Sequence, residues 1–250
     1  HTGSFYVVAF FRFVLVMIGV LSSSVVNLIF LPPKFETKIY YNSMNISSDI
    51  FVWFKLVLND TSEFHNIKQD GDQLNSRINK LEKIFDYYNE ERPLTKKHIY
   101  QQNRKKILFR EVVRTTRQAY EVLKRMSRYQ NDLYQLNNQL LLQIKLELDS
   151  LVTLHEQIFK SLSKKARYDV TQLDYEVDNP QKKNLMDAFQ QELIKNPHQT
   201  QYSYSNMMQI IAEIEEYRYQ LEHLDRIRLS FFTYHRSDTD IDISDEDFDL

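Results

Sequence analysis

One uncharged apolar segment constrains this chain more than any other feature. Residues 13–31 read FVLVMIGVLSSSVVNLIFL, nineteen residues without a charge. At ~1.5 Å per residue, a helix of this length reaches ~28 Å, close to the ~30 Å hydrocarbon core of a bilayer. Arg12 precedes the segment, and two prolines followed by Lys34 end it. The segment therefore predicts one transmembrane helix, assigned to residues 1–33 as the C-terminal helix of a membrane domain.

Three other interpretations compete with this one. A signal peptide has a shorter apolar run of ~7–15 residues and a small-residue cleavage site, and a buried core helix is usually shorter than ~18 apolar residues. A single-pass anchor stays open. Against a simple anchor, the segment carries small and polar residues that favour packing on other helices, or a pathway. The candidates for that role are Arg12, Gly19, Ser23 and Asn27.

The orientation of the segment follows from its flanking charges. Lys34, Lys38 and Lys55 follow it, whereas only Arg12 precedes it. Because positive charge is enriched on the cytoplasmic side of membrane helices, we expect the C-terminal region in the cytoplasm.

The composition predicts a helical chain. Three glycines and five prolines among 250 residues are too few for the turns of a β-sandwich or an α/β fold. Without cysteine, disulfides and thiolate zinc sites are excluded. We expect an all-α fold, with one transmembrane helix followed by a long-helix, coiled-coil-like cytoplasmic bundle over residues 34–236. An acidic, disordered tail follows over residues 237–250.

Residues 112–162 show a coiled-coil-like rhythm, with side chains at spacings of four and three and a stutter at Ile144. No Gly or Pro occurs between residues 94 and 179, so the pattern predicts one long helix, or two joined near Asn137 and Asn138. Polar residues at such positions more often set register than bind a ligand. We call the following positions the seam: Val112, Thr116, Ala119, Leu123, Met126, Gln130, Leu133, Asn137, Leu140, Ile144, Leu148, Leu151, His155, Ile158 and Leu162.

Periodicity and breaking residues predict the other segments. A helix is predicted over 35–62, in the core or partly along the membrane surface, and a helix start or kink at 70–72 is followed by an apolar stripe from 74 to 88. A break is predicted at 90–95, in which Thr95 caps the next helix, and a loop is predicted over 166–180. A short helix over 181–195 is ended by Asn196-Pro197, and a long helix over 203–234 packs on residues 112–162.

The charges of the chain are unevenly distributed. Residues 92–128 hold twelve Lys or Arg and two acids, whereas residues 237–250 hold seven acids and no base. Some of these bases form a stripe about 200° from the seam, so we expect it to face away from the packed side. A solvated face, contact with anionic lipid headgroups and docking of the acidic tail stay open; nucleic acid is not expected. This basic stripe consists of Arg110, Arg114, Arg117, Lys124 and Arg128.

No catalytic signature occurs in the sequence. HExxH and GxSxG are absent, and three glycines cannot build a phosphate-binding loop. His155 has no second histidine four residues away. We therefore predict no enzyme activity, no cofactor and no metal site.

The stretch RFVLVMIGVLSSSVVNLIFLPPKFE, residues 12–36, resembles the last membrane helix of the aromatic acid exporter family. That family belongs to the fusaric-acid-resistance-like group of bacterial membrane proteins. The rest of the chain fits the family's helical cytoplasmic domain in length and pattern. The resemblance implies a multi-pass protein with further membrane helices before His1. It transfers no catalytic or binding residue, and at most Arg12 and Asn27 match motif positions at a helix interface.

Two functional hypotheses follow. The first is a component of a bacterial inner-membrane transporter that exports aromatic or other organic acids, with a cytoplasmic helical domain for assembly or regulation. The second is a membrane-anchored coiled-coil scaffold that binds protein partners through the seam. The expected partners are membrane lipid, upstream membrane helices of the same protein and further copies of the chain in a homo-oligomer.

Overall fold

The computed structural model describes residues 2–30, 35–59, 64–91, 96–162, 185–195 and 201–234. The fold is all-α: these residues contain helices and no strand. The helices are α1 Thr2–Phe30, α2 Phe35–Leu58, α3 Phe64–Glu90, α4 Lys96–Arg128, α5 Gln130–Tyr134, α6 Asn138–Leu162, α7 Leu185–Lys195 and α8 Tyr204–Tyr234. The chain divides into two compact units, residues 1–35 with α1 and residues 36–250 with the other helices.

The seam forms the core of the second unit. Every seam residue is buried except Asn137, which confirms the rhythm predicted for residues 112–162. Burying these mostly apolar side chains supplies the main driving force for the bundle, at about 25 cal/mol per Å² of apolar surface.

The seam is not one long helix: it is divided among α4, α5 and α6, and α6 begins at the predicted junction near Asn137 and Asn138. Helix α4 ends at Arg128, the single turn of α5 follows, and α6 begins at Asn138. Asn137 caps α6, since its Oδ1 accepts a hydrogen bond from the backbone N–H of Leu140 at 2.7 Å. Exposure of Asn137 is therefore explained by its role at a helix terminus.

Helices α2 and α3 belong to the core of the second unit. Eight apolar residues of α2 are buried, including Ile39, Ile50 and Val57, which confirms the core interpretation of this segment. The predicted helix start at residues 70–72 is wrong, because α3 continues through Gly71 from Phe64, whereas a kink there stays a prediction. A side chain at Gly71 would meet nothing within 4 Å, so no close packing requires the glycine.

Side-chain contacts give the directions of the long helices. Arg125 of α4 meets Glu213 of α8, and Glu111 of α4 lies 4.0 Å from His223, so α4 and α8 are antiparallel. Helix α8 also packs on α6, as predicted. Contacts of Arg117 with Glu82 and of Tyr120 with Gly71 make α3 and α4 antiparallel. Helix α4 therefore lies between α3 and α8.

Helix α8 is fixed at its start by the turn between α4 and α6. Asp132 of α5 accepts hydrogen bonds from the backbone N–H of Ser203 and the side-chain amide of Asn206, both at 2.8 Å. The predicted Thr95 cap, the loop over 166–180, the Asn196-Pro197 break and the acidic tail lie outside the described residues.

Candidate functional site

Helix α1 is long and apolar enough to cross a membrane, and among the described residues no other helix is. The window Tyr6–Ser23 has a mean hydropathy of 2.1, and none of it is buried. Its large apolar side chains are exposed except for the half-buried Val14, from 43% at Met17 to 73% at Tyr6. A soluble core helix of this composition would be buried, because each such side chain gains about 1.5–3 kcal/mol on leaving water. Helix α1 is therefore compatible with a membrane anchor.

The structure brings three of the four candidate residues of α1 onto one side of the helix. Arg12, Gly19 and Ser23 are spaced by seven and four residues, which places them within about 40° of one another around the axis. Arg12 and Ser23 are exposed, and a Cβ at Gly19 would meet nothing within 4 Å. Asn27 continues the spacing of four within α1, but its side chain lies outside the described residues.

The basic stripe is exposed at four of its five positions. Arg110 is 59% exposed and donates from Nε to Glu111, while Lys124 is 50% exposed and bonds to Glu121 on its own helix. Arg114 and Arg128 are exposed as well. These four side chains are accessible to solvent and to a ligand, and their contact with lipid headgroups stays a prediction.

Arg117 departs from the predicted geometry of the stripe. Its Nε and Nη2 donate to the two carboxylate oxygens of Glu82 at 2.8 and 2.7 Å, and further bonds reach Asn75 and Asn79. The hydrogen bond to Glu82 raises the pKa of Arg117, while partial burial opposes the rise. Helix α3 packs where the stripe was expected to face solvent, so the Arg117 guanidinium is engaged within the protein.

Comparison with known proteins gives a relative for nearly the whole chain. The chain is similar to the UPF0421 protein YgaE of Bacillus subtilis. The two are 34% identical over 240 residues, which is 95% of this chain and 66% of YgaE. The chain thus spans somewhat less than two thirds of that relative. No family model matches the chain, and no solved structure does.

Helix α8 contains a buried polar pair that the sequence did not single out. Asp225 and Arg228 of α8 are 0% and 1% exposed, and Arg228 Nε donates to Asp225 Oδ1 at 2.7 Å. Burial raises the pKa of Asp225, while the neighbouring guanidinium opposes the rise. Taking such a pair out of water costs desolvation energy, which offsets much of the attraction between the two charges. In the sequence, this ion pair is visible as an acid and a base three residues apart that follow Leu221 and Leu224 on the apolar face of the helix.

His155 is a packed residue in the bundle. Its Nδ1 lies 2.7 Å from the Tyr217 hydroxyl, and its ring stacks on Phe159. Burial lowers the pKa of His155 to about 3, so the imidazole is neutral at neutral pH. Among the described residues, no group of three or more His, Asp or Glu side chains is arranged to hold a metal ion. The chain therefore offers two separate candidate surfaces: the side of α1 that bears Arg12, Gly19 and Ser23, and the exposed basic residues of α4.

Proposed function

We propose that this chain is part of a bacterial inner-membrane transport protein for aromatic or other organic acids. In this proposal α1 spans the membrane, and α2 to α8 form a cytoplasmic domain for assembly or regulation. One observation carries it: an apolar helix with no buried side chain in its central window also bears Arg12, Gly19 and Ser23 on one side.

The chemistry of that side supports packing within a membrane rather than simple anchoring. A charged or polar side chain facing lipid is costly, so such residues usually face other helices or a water-filled path. Glycine and serine four residues apart allow two helices to approach closely. The proposal places further membrane helices of the same protein against this side, consistent with a relative longer than this chain.

The scaffold hypothesis receives less support from the structure. It needs the seam to bind other proteins, yet the seam is buried against helices of the same chain, with α8 packed on both α4 and α6. A partner would have to use another surface of the bundle.

Two adjacent serines offer a matched test. Ser23→Leu places a bulky side chain on the Arg12 side of α1, whereas Ser22→Leu makes the same change about 100° away around the helix. We expect Ser23→Leu to reduce export of organic acids by the full-length protein about tenfold or more, and Ser22→Leu to leave it within about twofold.

The measurement is efflux of radiolabelled benzoate and related acids from cells lacking the gene and complemented with each variant, at equal amounts of protein in the membrane. Equal efflux from the deletion strain and the complemented strain, for every acid tried, would show that the transport proposal is wrong.

A further inference from the structure

A groove of about 710 Å³ opens between the first half of α4 and the last turns of α8. Arg104 and Ile107 contribute from α4, and His223, Arg226, Ile227 and Phe231 contribute from α8. The two helices are antiparallel here, with α8 ending beside the beginning of α4. The volume falls within the range of about 300–1,000 Å³ that is typical of small-molecule sites.

The groove has two cationic side chains among its described lining residues. Arg104 and Arg226 line it together with the polar His223 and Ser230, and none of the described lining residues is acidic. Arg226 is exposed and forms no ion pair within the described part of the chain. Arg104 is held over the ring of Tyr100, with its guanidinium carbon 4.3 Å from the ring centre. An anion in the groove would therefore find two guanidinium groups, each suited to bidentate binding of a carboxylate.

Three of the described lining side chains, Ile107, Ile227 and Phe231, are apolar. Ile107 is 44% exposed although it lies next to the buried Leu108, and Phe231 is only 5% exposed. Ile227 extends the same surface on α8. A ligand with an apolar body would cover Ile107 and gain binding energy from that contact, which inorganic phosphate or acetate would not.

His223 is oriented by its neighbours. Its ring lies parallel to that of Tyr219, with centroids 6.2 Å apart, and its Nε2 is 4.0 Å from Oε2 of Glu111. Glu111 is 1% exposed, and this oxygen has no hydrogen-bond partner among the described residues. Glu111 thus lies behind His223, outside the set of lining residues.

We propose that this groove binds a small amphipathic organic anion, with its carboxylate between Arg104 and Arg226 and its apolar body against Ile107, Ile227 and Phe231. In this proposal the helical domain itself binds a ligand. The inference is independent of transport, since equilibrium binding needs no gradient and the described lining residues belong to α4 and α8.

The test uses the whole chain in lipid nanodiscs and equilibrium dialysis against naphthoate, with empty nanodiscs as the background. Naphthamide, which has the same rings and no charge, is the matched probe. We expect saturable binding of one naphthoate per chain, at least about tenfold tighter than naphthamide.

Substitutions locate the binding. Arg226→Gln and Arg104→Gln should each weaken naphthoate binding about tenfold and leave naphthamide unchanged, and Ile107→Ser should weaken both probes several-fold. Arg128→Gln is the control, because Arg128 is an equally exposed arginine on α4 away from the groove.

Three results would overturn the proposal. One is naphthoate binding that the Arg226 and Arg104 variants leave intact, and another is naphthamide binding as tightly as naphthoate. The third is naphthoate binding only after removal of residues 237–250, which would assign the groove to that acidic segment. Naphthoate binding without any export by the full-length protein would instead count against the transport proposal alone.

Discussion

Arg117 joins α4 to α3 through its whole guanidinium group. Its partners Asn75, Asn79 and Glu82 lie along one side of α3 at spacings of four and three residues. Arg114, one turn earlier on α4, is exposed to solvent. Both belong to the predicted basic stripe, and the helical period alone gives them similar directions. The position of α3 depends on tertiary packing, so the sequence could not show which of the two arginines is exposed and which contacts α3.

Arg117→Gln should destabilise the bundle by about 1–3 kcal/mol, since it removes a charge-assisted pair and leaves Glu82 without its partner. Arg114→Gln is the matched control and should change the free energy of unfolding by no more than about 0.5 kcal/mol. Urea unfolding of both variants, followed by circular dichroism in the same detergent, measures the difference. Equal midpoints for the two variants would show that the α3 contacts do not stabilise the protein.

At the scale of elements, the break between α4 and α6 gives the bundle its layout. An uninterrupted helix over the whole seam would extend for about 75 Å and leave α8 able to cover only part of it. Instead the turn at α5 separates α4 from α6, and α8 packs on both. Asp132 in the same turn also fixes the start of α8. A short polar segment therefore positions three helices.

Asn137→Ala should lower the stability of the bundle by about 1 kcal/mol, because the first turn of α6 loses the hydrogen bond to the Leu140 N–H. Asn138→Ala, one residue later at an exposed position, keeps the cap and is the control. Thermal unfolding compares the two, and about 1 kcal/mol corresponds to roughly 2–4 °C in a chain of this size. A larger shift for Asn138→Ala would contradict the assignment of the cap.

Two kinds of apolar surface distinguish the two units of the molecule. In residues 36–250 most large apolar side chains are buried, whereas α1 exposes almost all of those described. In residues 36–250 the hydrophobic effect is satisfied by burial among the helices of the same unit. For α1 it favours an apolar environment that the described residues do not supply, and a bilayer provides one.

Ile18→Asp combined with Leu21→Asp should move the chain from the membrane fraction to the aqueous fraction, because each Asp costs about 2.5–3.5 kcal/mol at the centre of a membrane helix. Leu142→Asp combined with Leu146→Asp is the control: these two leucines of α6 are 54% and 61% exposed on the bundle. The control should stay with the membranes. Carbonate washing followed by immunoblotting measures both, and recovery of the unmodified chain in the aqueous fraction would exclude a membrane role for α1.

The sequence by itself determined the helical character of the chain and which apolar positions of its long helices are buried. Scarce turn residues and regular apolar spacing predicted the all-α fold, the seam and the packing of α8, because those depend on local backbone preference and on one-dimensional periodicity. Only the tertiary structure decided the direction of Arg117, the burial of Asp225 with Arg228 and the groove beside Arg226. Each of these depends on which helix lies opposite, and the arrangement of helices is set by packing between segments far apart in the chain.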